Sequence, residues 1–471
     1  MGSEKSASGS GGGGGAHVLA IPYPSQGHIN PMLQFCKRLV SKGLKATLAI
    51  TTFHSNSSTA PLSGGPVGID TFSDGCDESG FAQAASVSDY LSRLEAAGSR
   101  SLAELLHKYE KSGSPVACVV YDAFLPWALE VAKKYGGGVS AAAFFTQACG
   151  VNYVLYCVHS GRLELPVAAP PVNIPGLPPL DLQDMPSFIY HHGSYPAYFE
   201  MVLQQFRNVD KADFVFVNSF YKLEAEVVDM MSKMSPFLTI GPTIPSLYLD
   251  NRVHNDTEYG LSLYPLDQST SIIEWLNTKP AGSVVYVSFG SMAALDRNQM
   301  EELAWGLHNT NAPFLWVVRH SETSKLPSGF VETPSKGIVV TWSPQLQVLS
   351  HRAVGCFFTH GGWNSTLEAL SLGVPMVAMP QWTDQTMNAK LIVDVWKVGL
   401  RVGVGENGVV GREEVERCVR EVLDAEEGKE MKENAGKWSE LAKEAVSEGG
   451  TSDRAIDEFV SSLMMSSSNK A

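Results

Sequence analysis

The sequence predicts an α/β protein of two domains, each built on a parallel sheet, with a cleft between them. Three observations carry this expectation. The chain has 471 residues, more than one ordinary hydrophobic core organises. Short apolar runs alternate with amphipathic stretches, the pattern of βαβ units. That alternation stops once, over 242–268, and then restarts.

In the first half, His17–Tyr23, Lys45–Thr51, Ala117–Tyr121 and Val139–Phe145 are continuous apolar runs, as strands covered on both faces require. Pro31–Lys42 and Val87–Lys111 have helical periodicity between them. Leu165–Pro186, dense in proline, reads as an irregular loop, and Phe214–Asn218 and Leu238–Ile240 close this half as strands. The segment 242–268 is rich in Pro, Asn, Asp and Tyr, lacks periodicity, and reads as a linker. Strands resume at Ser283–Phe289, Phe314–Val318, Gly337–Thr341, Gly355–Thr359, Pro375–Ala378 and Gly399–Val402. The expected division is a flexible tail over 1–16, a first domain over 17–241, the linker, a second domain over 269–450, and a terminal segment over 451–471. The helix of that last segment could pack on either half, including back on the first.

Composition narrows the function. The chain is 44% hydrophobic and 18% charged, as globular proteins are, and has no run of about 18 apolar residues that would span a membrane. With 35 basic against 49 acidic side chains the formal charge is -14. Nucleic acid and anionic membrane both need a basic surface, so neither is expected as a partner. A bound phosphate would have to be held locally, by aimed amides and a few side chains. Seven cysteines, odd in number and without a CxxC pair, fit reduced thiols in a reducing compartment, so the cytoplasm is expected. The opening MGSEKSASGSGGGGGA has no apolar core and is not a signal peptide. Its Gly2 and Ser6 match a loose myristoylation pattern, but one acyl chain without a basic patch anchors poorly. The sequons at Asn56, Asn255 and Asn364 carry no weight without a secretory route. No His/Asp/Cys cluster has metal-ligand spacing, and His191-His192 reads as surface. A monomer is expected.

Gly403-Val-Gly405-Glu-Asn-Gly408 satisfies GxGxxG after a strand. A dinucleotide fingerprint opens directly into a helix, whereas here the next helix starts only near Arg412, so a two-glycine loop is the better reading.

The stretch THGGWNSTLEAL, Thr359–Leu370, holds the strongest local signal. A strand ends at Thr359, and a helical pattern begins near Asn364–Ser365 and stops at Gly373 before Pro375. Free amides and the positive dipole end gather at such a terminus and suit an anion. Gly361 and Gly362 permit close approach of a phosphate, and His360, Asn364 and Ser365 add donors. Ser365-x-x-Glu368 also reads as a capping box, the preferred local account of Glu368. Nothing local demands Trp363.

In the first half, His28 sits where the first strand turns into the first helix. Alone it reads as a capping histidine. Asp122, at the end of the Val119–Tyr121 run, should emerge on the same rim, and a histidine oriented by a buried aspartate makes a general base.

From Trp342 to Gln385 the chain reads WSPQLQVLSHRAVGCFFTHGGWNSTLEALSLGVPMVAMPQWTDQ. These 44 residues closely resemble the plant secondary-product glycosyltransferase signature of family 1 UDP-glycosyltransferases. The resemblance extends from about His17 onward, through SQGHINPM near the start and EGGTSDRAIDEF near the end, and is nearest the subgroup that glucosylates salicylate, auxins, triterpenoids and steroids. It implies the GT-B fold, two Rossmann-like parallel-sheet domains facing a central cleft. It further implies inverting transfer of glucose from UDP-glucose to a hydroxyl or carboxyl of a small lipophilic acceptor, with no metal and no cofactor beyond that co-substrate. By matching position, Trp342 stacks on uracil, Gln345 helps hold base and ribose, and Glu368 binds the ribose hydroxyls. His360, Asn364, Ser365 and Ser291 match diphosphate contacts; Trp363, Asp384, Gln385 and Thr146 match positions around the sugar. His28 and Asp122 match the catalytic base and its partner. Where the family usually has HCGWNS this chain has Gly361, which puts the rigidity of that loop in question. Phe188, Tyr190, Tyr198 and Phe199 either line an acceptor pocket or belong to the core, since periodicity does not separate the two. A catalytically silent UDP-sugar-binding protein of the same fold is the alternative.

Overall fold

A computed structural model describes residues 15–57, 62–233, 236–257, 259–261, 269–330 and 336–468. Most of the expected tail, with Gly2 and Ser6, lies outside the described residues, as do 258 and 262–268 of the expected linker.

Two parallel sheets form. The first contains β1 (His17–Ile21), β2 (Lys45–Thr51), β3 (Gly68–Phe72), β4 (Val116–Asp122), β5 (Ser140–Phe145), β6 (Phe214–Val217) and β7 (Phe237–Thr239), in the order β3-β2-β1-β4-β5-β6-β7. The second contains β8 (Val284–Ser288), β9 (Phe314–Val317), β10 (Ile338–Val340), β11 (Val354–Thr359), β12 (Met376–Ala378) and β13 (Gly399–Arg401), in the order β10-β9-β8-β11-β12-β13. Each sheet grows one way from its first strand and then crosses back to the other side. That reversal leaves a crevice at the carboxyl ends of β1 and β4, and another at those of β8 and β11. Val18–Ile21, Cys118–Val120 and Cys356–Phe358 are fully buried, which is why these segments read as unbroken apolar runs. The edge strand β3 escaped that reading, because GIDTF is half-exposed and carries Asp70, which accepts from Lys108 and Tyr109.

The first helix spans Gln26–Ser41 and begins five residues before the expected Pro31, which it accommodates near its N-terminus. Pro31 has no N–H to give the carbonyl four residues back, that of Gly27. Asn364 Nδ2 from the other half bonds this Gly27 oxygen at 2.8 Å. The helix Val87–Lys111 has the expected bounds, with Ser86 accepting from the Asp89 amide at 3.1 Å.

The linker is strapped to the first helix. Lys37 Nζ lies 2.8 Å from Asp256 Oδ1, both side chains buried, and Arg38 grips Asp250 through two 2.8 Å bonds. The terminal helix Thr451–Ser468 packs back on the first sheet. Phe459 meets the rings of Phe214 and Phe216 at 5.0 and 4.9 Å, and Ser452 Oγ donates to the Gly241 carbonyl. GxGxxG is a loop: Gly405 N donates to Val409 O, and the helix begins at Arg412. All seven cysteines are buried and free. Among the described residues no helix is long and apolar enough to cross a membrane.

Candidate active site

Because β1 and β4 are neighbours, the loop after one and the last residue of the other open into the same crevice. His28 lies in the first turn of its helix, beyond the Ser25 N-cap, so the capping reading does not apply. Its Nδ1 is 2.7 Å from Asp122 Oδ2. Asp122 is buried, and its Oδ1 accepts from the Phe124 amide at 3.0 Å, which fixes the carboxylate. With the Nδ1 proton given to Asp122, Nε2 carries the free lone pair. Thr146 Oγ1 stands 3.2 Å from Nδ1, and the imidazole keeps 16% of its side-chain surface exposed. Tyr23 and Phe124 flank the ring at centroid distances of 5.3 and 5.0 Å. Burial pushes the Tyr23 hydroxyl well above the ordinary tyrosine range. Sequence reasoning missed both aromatics, one inside an apolar run and the other two residues past Asp122.

In the second half, the loops after β8 and β11 meet in the same way. His360 follows β11, and its ring is fitted against two glycines: a Cβ at Gly362 would come 2.6 Å from Nε2, and one at Gly290 would come 2.9 Å from Cε1. Burial pushes the imidazole down to about 4, so it is neutral near pH 7. Ser291 is exposed on the loop after β8, and Arg319 holds this loop by the carbonyls of Ser291 and Ala293.

The helix starts at Trp363 with Gly362 as N-cap, earlier than the expected Asn364–Ser365, and no side chain caps it. Its first-turn amides are therefore available to an anion. The expected capping box is absent. Gln345 Nε2 instead donates to Glu368 Oε2 at 2.7 Å and to Ser365 Oγ at 3.1 Å, while Tyr286 donates to Gln345 Oε1 at 3.1 Å. Glu368 is 2% exposed, and burial lifts its carboxyl to about 7 against the opposing bonds from Gln345 and Tyr259. Half-buried Trp342 lies three residues before Gln345. Asn364 gives one Nδ2 hydrogen to the Gly27 carbonyl, which leaves its second Nδ2 hydrogen and its backbone amide as donors toward an anion.

Gly361 has φ +75, where glycine is the unstrained residue. Its N–H donates to Thr359 Oγ1 at 3.3 Å, and its carbonyl accepts from Asn388 Nδ2 at 2.9 Å. The loosening expected from glycine is countered by these bonds. The Trp363 ring is buried 6.0 Å from Trp396, and its Nε1 donates to the Asn218 carbonyl of the first half at 2.7 Å.

Asp384 accepts from Thr383 Oγ1 at 2.6 Å and Asn388 Nδ2 at 2.7 Å; burial raises its pKa, with these bonds and nearby His28 opposing. Gln385 Oε1 accepts the amides of Gln381 and Trp382, which shapes the turn before it. Thr383 and Ser187 exchange backbone and side-chain bonds across the cleft, so the loop carrying the expected acceptor aromatics is tied beside the expected sugar residues. Trp382 stands 5.8 Å from Tyr198 and 6.4 Å from Phe188, with Phe199 next to Phe188 at 6.0 Å. Phe188 is buried and belongs to the core wall, while Tyr198 is half-buried. Tyr190 does not join them: it is 37% exposed, against the surface ring of His191. Among the described residues no group of three or more His, Cys, Asp and Glu is placed to hold a metal ion.

The family described as "UDP-glucoronosyl and UDP-glucosyl transferase" matches residues 216–456. UDP-glycosyltransferase 74F2 of Arabidopsis thaliana is 57% identical over 450 residues, covering 94% of this chain and 98% of that protein. The chain belongs to the plant family 1 UDP-glycosyltransferases. Mogroside I-E synthase of Siraitia grosvenorii is 45% identical, with 95% of this chain and 98% of that one covered. The crystal structure of Os79 from O. sativa in complex with UDP superposes with a TM-score of 0.88 at 41% identity, over 95% of this chain and 100% of that chain. This UDP-glycosyltransferase accordingly has the GT-B fold, with two Rossmann-like domains.

Proposed function

We propose that the enzyme transfers glucose from UDP-glucose to a hydroxyl or carboxyl of a small lipophilic acceptor, with inversion, giving a β-glucoside. The observation that carries this reading is the placement of the His28–Asp122 pair across one cleft from an uncapped helix terminus and a neutral His360. An acceptor hydroxyl beside His28 gives its proton to Nε2, and the oxygen attacks C1 of glucose from the face opposite UDP. The departing diphosphate takes the first-turn amides of the Trp363–Leu372 helix, which are aimed before charge develops. No cofactor beyond the co-substrate enters. Relatives named flavonol 7-O-beta-glucosyltransferase and crocetin glucosyltransferase 2, and a solved neighbour holding UDP-2fluoro-glucose with pterostilbene, support a lipophilic acceptor. A panel of phenolic, terpenoid and steroid acceptors with UDP-glucose, read by mass spectrometry and by the anomeric proton coupling of the product, tests the reading. An α-linked product would remove inversion, and release of UDP without any glucoside would remove transfer.

Glu368 gives this reading a pH signature. An ionised carboxylate accepts two ribose hydroxyls, and its protonated form loses acceptor capacity. Since burial lifts this carboxyl to about 7, affinity for UDP-glucose should rise as pH increases through 7 and fall below it. The diphosphate diester of UDP-glucose does not titrate there. Calorimetric titrations between pH 6 and about 8 should show the slope in the native enzyme and a flat profile in Glu368→Gln. A native profile as flat as the variant's would count against the ribose assignment.

A further inference from the structure

The linker carries one side chain into the polar cluster of the second half. Gln34 Nε2 donates to the Tyr259 carbonyl at 2.7 Å. Gly260 lies so close to the first helix that a Cβ there would come 2.4 Å from Asn30 Oδ1, and Leu261 is buried in the core beneath that helix. Asp250 and Asp256 are pinned to Arg38 and Lys37 just upstream. The Tyr259 backbone is thus fixed to the half that bears His28. Its side chain crosses to the other half, where the hydroxyl hydrogen-bonds the Glu368 carboxylate. Gln345 holds Glu368 Oε2 from the second half itself. A carboxylate offers about four lone-pair sites, so two donors set its orientation and leave room for a diol.

We propose that Tyr259 is a positioning residue of the nucleotide site, a linker side chain that holds Glu368 in the orientation its ribose contacts require. The proposal rests on the reading of Glu368 as the ribose-binding carboxylate. Tyr259 touches none of the reacting atoms in this account; it acts through Glu368 alone, and it makes nucleotide affinity depend on how the linker lies against the first helix.

Calorimetric titration of native enzyme and Tyr259→Phe with UDP and with 2′,3′-dideoxy-UDP tests this. The native enzyme should prefer UDP by about a hundredfold or more, the order of two hydrogen bonds to a charged group. Tyr259→Phe should weaken UDP about fivefold, leave dideoxy-UDP within about twofold, and raise the KM for UDP-glucose while kcat holds. Adding Tyr259→Phe to Glu368→Gln should change nothing further. Equal losses for both ligands would overturn the proposal and leave the ribose assignment standing. Tighter UDP binding by Tyr259→Phe would also overturn it, by showing that the hydroxyl takes the place of a ribose group. A native enzyme that does not distinguish the two ligands would overturn the ribose assignment, and the proposal with it.

Discussion

His28→Ala lowers kcat for an alcohol acceptor by about 10²- to 10⁴-fold, the range general-base catalysis supplies. The KM for UDP-glucose should move little, because the nucleotide contacts lie on the other half. Asp122→Asn should lower kcat by a similar order, since an amide beside Nδ1 no longer fixes the proton there and Nε2 ceases to be the free base. The acceptor decides how far the effect reaches. A carboxylic acid is ionised near pH 7 and has no proton to give, so ester formation should survive His28→Ala far better than ether formation. Steady-state rates with one alcohol and one carboxylic acid acceptor measure this contrast. Unchanged turnover of the alcohol would remove His28 from the chemistry.

The second large effect is on stability. Lys37→Met leaves Asp256 buried with Oδ1 unpaired, its Oδ2 still accepting from the Ser246 amide at 2.7 Å. Removing one partner of a buried pair costs about 3–5 kcal/mol. The double variant Lys37→Met with Asp256→Asn removes both charges and should recover most of that loss. Denaturant unfolding followed by tryptophan fluorescence compares the three proteins. Equal midpoints for native and Lys37→Met would mean that the pair contributes nothing. Because this pair lies on the strap that carries Tyr259, the single variant should also bind UDP more weakly at denaturant-free conditions.

Much of the fold was legible because strands covered on both faces must be apolar throughout, and twelve of the segments read that way are strands. His28 and Asp122 were legible for a related reason, since each closes a strand–helix unit and parallel neighbours end on one rim. The contacts that misled or escaped are those whose partners lie far off in sequence. Ser365 and Glu368 have capping-box spacing, but their donor Gln345 comes from the helix before β11. Trp363 seemed surplus locally because the carbonyl it serves belongs to Asn218, 145 residues earlier. The linker looked aperiodic because its order comes from ion pairs to one helix face, about 200 residues away. Tyr190 and Tyr198 differ in placement by a turn of chain that hydrophobicity does not encode.

Pro31 gives the relation between the two halves a thermodynamic bias. A helix containing it has one carbonyl, that of Gly27, without its customary internal donor, and Asn364 supplies the replacement from the opposite wall. Any separation of the walls must give up this bond and return the carbonyl to water, a difference on the order of 1 kcal/mol in favour of the closed arrangement. The residue after Gly27 is His28. The bond thus ties the opposite wall to the residue next to the base, alongside the Trp363–Asn218 and Thr383–Ser187 bonds that also join the two halves.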